Sequence, residues 1–347
     1  MADMRDDIHH RRMPGRGAPR GCVSKVGGMT QMRPFRFAVH TSDAADGPEW
    51  AAAARRYEAL GFSSLFVRDH FDDQLAPVVA MTAAACATTA LRVGCLVFDN
   101  DYRHPLVLAK EMATLDVLSG GRVELGIGAG WMGSDYEQAG MSYDRPGVRV
   151  DRMIEAVHII KALHGDGSVD FKGEHYTITG HDALPKPVQR PHTPIMIGAG
   201  GKRLLSFAAR EADIIGLNPK NLGNDAWAET NVGDATDDAT DRKIGWIREA
   251  AGPRFDAIEL SIVVPFVIET DDRAGVAEGI AAGLPPANGE VATPARVLES
   301  PYVLLGTLDE MAATIEARRE RWGISYYVFN ADSVDSAAPL VERLAGK

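Results

Sequence analysis

Cysteine is scarce in this chain of 347 residues: Cys22, Cys86 and Cys95 are all there are, with no C-x-x-C spacing. An odd, unclustered set argues against a disulfide framework or a cysteine-built zinc site, and suits a reducing cytoplasm. Long hydrophobic runs are missing too. No apolar stretch approaches the roughly 18 residues of a membrane span. Positive charge is short, with net charge −11. The first 36 residues hold eight Lys/Arg against three Asp/Glu, so the remainder carries −16. A body that acidic is a poor binder of nucleic acid or anionic membrane. What remains is ordinary globular composition, 45% hydrophobic and 24% charged. The length suits one large domain or two ordinary ones.

Residues 1–34 show no hydrophobic period. Arg11 and Arg12 are not followed by an apolar segment, so the stretch does not read as a signal peptide. It reads as a disordered extension, or as sequence upstream of a start at Met29 or Met32. The rest, 35–347, reads as a single domain.

From Arg36 onward, short β-branched runs alternate with longer runs whose apolar residues recur every three or four positions. The strand-like runs are 36–41, 63–69, 92–98, 122–128, 194–200, 213–218, 258–269 and 325–330. Helix-like runs follow each, at 48–61, 76–89, 105–119, 148–164, 202–212, about 238–251, 272–283 and 336–346. A further helix, 307–323, carries a capping box, Thr307 with Glu310. Alternation admits an open doubly wound sheet or a closed (β/α)8 TIM barrel, and a count of eight strands favours the barrel. Three stretches break the rhythm: 165–193, where FKGEHYTITG looks like a small hairpin, then 219–237 and 284–306.

The run GRVELGIGAGWMGSDY contains a literal G-x-G-x-x-G at Gly128, Gly130 and Gly133. A dinucleotide site needs that motif in the first βαβ unit, with an acidic residue ending the next strand about 20 residues on. Here three units come first, and Asp151 lies inside a helical pattern. In a barrel, these glycines sit at the carboxyl end of the fourth strand, where active sites are built. There they would let backbone approach a ligand, or simply ease a crowded corner. A second cluster, PIMIGAGGKRLL, ends the fifth strand at Gly198, Gly200 and Gly201 and opens a helix with Lys202 and Arg203, the makings of an anion site.

FVRDHFDD ends the second strand with Asp69 and His70, poised for proton transfer, although a structural histidine is the competing reading. Nothing near Asp72 and Asp73 supplies metal-ligand spacing, so no metal site is expected. His40, closing the first strand, and Trp131, after Gly130, are candidates to face a substrate. Cys95 reads as packing. Asn100, Tyr102, Arg103 and His104 lie at the rim.

FVRDHF, YRHPLVLAKEMATLDVLSGGRVELGIGAGW and PIMIGAGGKRLLSFAAREADIIGLN together resemble the luciferase-like flavin/deazaflavin superfamily, and most nearly its branch dependent on coenzyme F420, a 5-deazaflavin. The resemblance implies a barrel with the cofactor ring at its carboxyl mouth, against a non-proline cis peptide near Cys95-Leu96. It implies Asp69 and His70 as catalytic, with Asp69 orienting His70. It implies Ala129, Gly130 and Ser134 at the ring and ribityl chain, and Ala199, Gly200, Gly201 and Lys202 at the phosphate. Arg145, Arg149, Arg203 and Lys220 could join Lys202 in a patch for the cofactor's acidic tail. Trp131 stands where sugar-phosphate dehydrogenases of the superfamily carry a general-acid Glu, and Gln74 where they carry a Trp, so another substrate is expected. The alternative on the same scaffold is an FMN-dependent monooxygenase fed by a partner reductase. Such proteins are often homodimers.

Overall fold

A computed structural model describes residues 32–220, 231–286 and 290–347. Residues 1–31 of the expected extension, 221–230 of the polar loop and 287–289 lie outside the described residues.

Thirteen strands are described. β1 (Arg36–His40), β2 (Ser64–Val67), β3 (Arg92–Cys95), β4 (Phe98–Asp99) and β5 (Val123–Gly128) come first. β6 (Val169–Lys172) and β7 (Thr177–His181) follow, then β8 (Ile195–Ala199), β9 (Ile214–Leu217) and β10 (Glu259–Val264). β11 (Phe266–Glu269), β12 (Val303–Gly306) and β13 (Ile324–Asn330) complete the set. The large sheet runs β3-β2-β1-β13-β10-β9-β8-β5-β4, and a pairing of β3 with β5 closes it. β3 and β4 are two halves of one barrel strand, interrupted by a cis peptide between Leu96 and Val97. Eight parallel staves therefore close into a barrel, as the alternating pattern predicts.

The helices are α1 (Gly47–Ala59), α2 (Pro77–Ala87), α3 (Pro105–Ser119), α4 (Gly133–Ala139), α5 (Pro146–His164) and α6 (Lys202–Glu211). α7 (Asp237–Ala251), α8 (Arg273–Gly283), α9 (Pro294–Glu299), α10 (Leu308–Trp322) and α11 (Val334–Leu344) complete them. α3 shows why the pattern was readable. Pro105 sits in the first turn, where its missing N–H costs nothing, and Gly120 ends the helix with a left-handed φ of 71°. At α10, Thr307 and Glu310 form the expected capping box.

Strand alternation sorts the core into two layers. On β1, Phe37 and Val39 pack outward under the helices, whereas Ala38 joins Phe66, Met196, Ile214, Tyr326 and Val328 in the barrel interior. The interior is filled by side chains in the upper layer and by ions at its floor. There the buried Glu124 meets Arg36, Arg92 Nε at 2.6 Å and the Tyr326 hydroxyl at 2.9 Å.

Two expectations need correction. The run 258–269 is not one strand. Pro265 divides it, since proline cannot donate to a ladder, and its second half leaves the barrel as β11 to pair with β12. The stretch 284–306 is accordingly not wholly irregular, because it holds α9 and β12. The small hairpin forms as expected, β6 antiparallel to β7.

Candidate active site

The carboxyl ends of the staves open into a cavity of about 980 Å³. One wall is built from the broken stave. Leu96 and Val97 line it, and the neighbouring strands are stripped of side chains to admit them. A Cβ on Gly126 would stand 2.0 Å from the carbonyl oxygen of Cys95, and one on Gly128 would stand 2.6 Å from Val97 Cγ2. Gly198 lies close to the same valine. Gly130 takes a positive φ of 72°, and a Cβ there would meet the Tyr136 hydroxyl at 2.0 Å and Asp99 Oδ2 at 2.5 Å. The glycines of GIGAG thus make room first for the protein's own bulge and hydroxyl.

This relocates two residues of the implied cofactor set. Cys95 is fully buried and does not line the cavity, because the cis bond falls at Leu96–Val97, one residue beyond the expected place. Burial also pushes its thiol well up, so the sulfur is a packing group. Ser134 sits in the first turn of α4, outside the lining. Leu96, Ala129, Gly130, Ala199, Gly200, Gly201 and Lys202 do line the cavity.

The pairing of Asp69 with His70 is different from the expected one. Asp69 is buried and grips Arg103 with both oxygens, at 2.5 and 2.9 Å, and its Oδ2 accepts the Asp99 N–H at 2.9 Å. It ties the end of β2 to the end of β4 and makes no hydrogen bond to Nδ1 of the His70 imidazole. That atom instead lies 2.7 Å from Asp135 Oδ2, which also accepts the Tyr102 hydroxyl at 2.9 Å. Trp131 packs edge-on to His70, ring centres 5.5 Å apart. Asp135 was not singled out in the sequence, where 65 residues separate it from His70; only its place just past the fourth strand's glycines hinted at it.

Asp99 lines the same cavity. Burial pushes its carboxyl up to about 7, with the neighbouring Asp101 charge adding to the rise and hydrogen bonds from the Asp101 N–H and Tyr136 hydroxyl opposing it. His40 faces the cavity as a neutral ring. Burial drives it down to about 3, helped by the Arg68 charge. The rim residues divide their work: Asn100 holds the Tyr176 hydroxyl at 3.2 Å, and the His104 ring packs against Tyr176.

The opposite rim is cationic. Arg145, Arg149, Lys202, Arg203 and Lys220 all line the cavity. Arg149 is buried, and holds the carbonyls of Ala129 at 3.1 Å and Gly130 at 3.3 Å. Arg203 pairs with Asp151, and Lys202 with Glu249 at 3.7 Å. Among the described residues, the side chains of Arg145 and Lys220 have no acidic partner. Beside them α6 begins at Gly201 without a side-chain cap, leaving its first N–H groups for an anion. Gly200 has its own reason to be glycine: a Cβ would come within 2.6 Å of the Pro219 carbonyl.

A family model described as Luciferase-like monooxygenase matches residues 29–245. The chain is 32% identical over 168 residues to an F420-dependent glucose-6-phosphate dehydrogenase of Amycolatopsis mediterranei, covering 46% of this chain and 50% of that one. It is 26% identical over 219 residues to an FMNH(2)-dependent dimethylsulfone monooxygenase of Pseudomonas putida, covering 62% and 56%. The matches thus span about half the length of these curated relatives. The solved coenzyme F420 dependent tetrahydromethanopterin reductase of Methanopyrus kandleri shares the fold, with a TM-score of 0.69 at 19% identity, over 90% of this chain and 98% of that one.

Proposed function

Because this chain belongs to the luciferase-like monooxygenase family, we propose that it is an oxidoreductase that moves a hydride between coenzyme F420 and a small organic substrate. The observation that carries the choice of cofactor is the cationic rim. In a chain of net charge −11, six Lys and Arg side chains line the cavity, and three of them, Arg145, Arg149 and Lys220, have no acidic side-chain partner among the described residues. A single phosphate needs less, whereas a phosphate together with an acidic tail matches a mouth where Arg145 and Lys220 add their charge to the start of α6.

The residues present fit such a group. Leu96, Val97 and the backbone of Ala129 and Gly130 offer an apolar, side-chain-poor wall for a flat ring. The start of α6, with Gly200, Gly201 and Lys202, is placed to hold the phosphate. When bound, the deazaflavin supplies the two-electron hydride chemistry. The chain's own part is to orient and to manage one proton. His70 presents a ring nitrogen to the cavity, and Trp131 and the neutral His40 bound the space left for substrate. Trp131 in place of a carboxylate argues for a substrate other than a sugar phosphate.

Parallel equilibrium titrations with F420 and FMN test this reading. F420 is expected to bind at least about tenfold more tightly, a difference of about 1.4 kcal/mol, and to weaken more steeply with salt than FMN does. Tight FMN binding with no F420 binding would instead support the FMN-dependent monooxygenase, supplied with reduced flavin by a partner.

A further inference from the structure

We propose that Asp135, rather than the adjacent Asp69, is the positioning residue of His70: it fixes the imidazole in the tautomer protonated on Nδ1 and turns Nε2 toward the cavity.

Three separate elements converge on this point. His70 follows β2, Tyr102 closes the short 3-10 turn Asn100–Tyr102 after β4, and Asp135 lies in the first turn of α4. A carboxylate only accepts hydrogen bonds. The Tyr102 hydroxyl spends its one proton on Asp135 Oδ2 at 2.9 Å. The contact of His70 Nδ1 with that same oxygen, at 2.7 Å, therefore needs the proton on Nδ1. Nε2 is then an acceptor, and it has no hydrogen-bond partner among the described residues while its ring lines the cavity. Asp69 makes its contacts elsewhere: Arg103 donates to both of its oxygens and the Asp99 N–H to Oδ2, and no hydrogen bond joins it to His70. The Asp135 side chain is 4% exposed and that of His70 15%, so solvent competes little for the contact. Trp131, edge-on at 88°, limits rotation of the ring from the other side.

The consequence is a proton acceptor of set direction. With the tautomer reversed, Nε2 would carry a proton and a neutral His70 could not take one from a ligand in the cavity. The role of this arrangement in turnover rests on the oxidoreductase reading; the tautomer itself does not.

The test is long-range ¹H–¹⁵N spectroscopy of ¹⁵N-histidine-labelled full-length protein, on the alkaline side of the ordinary imidazole range, with the His70 signals assigned by their loss in His70→Gln. Nearly all of wild-type His70 is expected to be protonated on Nδ1. Asp135→Ala is expected to reduce that form to a minority, and Asp69→Asn to leave it in place. An Nε2-protonated wild-type ring, an unchanged ring in Asp135→Ala, or a tautomer lost in Asp69→Asn would overturn the assignment. If Asp135→Ala does not fold, the wild-type tautomer still decides, and Tyr102→Phe, which removes the second donor to Oδ2, is expected to keep it. In cofactor-loaded protein, Asp135→Ala is expected to lower hydride-transfer turnover by about 10²–10⁴-fold with the cofactor Kd nearly unchanged. Failure of the wild type to bind any cofactor would sink the functional reading and leave the tautomer result standing.

Discussion

Replacing Glu124 with Ala is expected to cost about 3 kcal/mol of folding free energy, the lower end of what breaking a buried ion pair costs. Glu124 is 1% exposed at the barrel floor, and it is where Arg36 and Arg92 meet, with the Tyr326 hydroxyl on its second oxygen. Removing it leaves two guanidinium groups facing each other in the barrel. Glu259, which holds Arg36 at 2.7 Å, relieves one of them only in part. Both arginines keep 25% of their side chains exposed, which places the cost at the low end. The loss should depend on pH. Burial alone would raise the Glu124 carboxyl, but Arg36 and Arg92 overcome it and hold the group below its ordinary 4.5. A carboxyl lowered by folding stabilises above its unfolded pKa, and that contribution disappears as pH falls through the folded value. The gap between wild type and variant, read from urea midpoints, should therefore be full near neutrality and narrow below about pH 4.5. A gap under about 1 kcal/mol at neutral pH would place the network among the weak surface pairs.

Gly126→Ala is expected to be the most disruptive single methyl addition in the barrel, costing at or beyond the upper end of the roughly 1–3 kcal/mol usual for overpacking. The new Cβ would sit 2.0 Å from the Cys95 carbonyl oxygen, 3.2 Å from its carbonyl carbon and 3.2 Å from Val97 Cγ1. Two of those atoms are backbone, so no flexible side chain can yield. Either the broken stave moves away from β5 or β5 shifts, and both distort the cavity wall formed by Leu96 and Val97. Thermal melts and cofactor titration on the same preparation check this: both Tm and binding should fall. A variant with wild-type stability would mean that the wall is more yielding than its contacts indicate. Gly120, with nothing within 4 Å of its Cβ position, is strained only by its φ of 71° and offers a measure of the backbone contribution alone.

The staves and most helices were legible because local rules govern them: a period of two or 3.6, proline at helix starts and glycine at their ends. Where long-range contacts decide, the sequence was less informative. Val303–Gly306 looked irregular because its flanks are rich in proline and polar residues, and only β11 beside it makes it a strand. The glycines of GIGAG announced a ligand, but the atoms that exclude a side chain there belong to Cys95, Val97, Tyr136 and Asp99. The family resemblance implies Asp69 as the residue that orients His70, and the two are neighbours in the chain. Successive residues point apart, so Asp69 reaches Arg103 and His70 reaches Asp135, 65 positions away. The cationic rim was foreseen as a set of residues, but its convergence on one mouth is a property of the barrel.

The deazaflavin proposed for this protein would lie in the cavity at the carboxyl ends of the staves. A crystal structure of the full-length protein with F420 tests it most directly. The ring is expected against Leu96–Val97 and the Ala129–Gly130 backbone, the phosphate at the start of α6 beside Gly200, Gly201 and Lys202, and the acidic tail running toward Arg145 and Lys220. A ring lodged outside this cavity, or a phosphate away from α6, would contradict it.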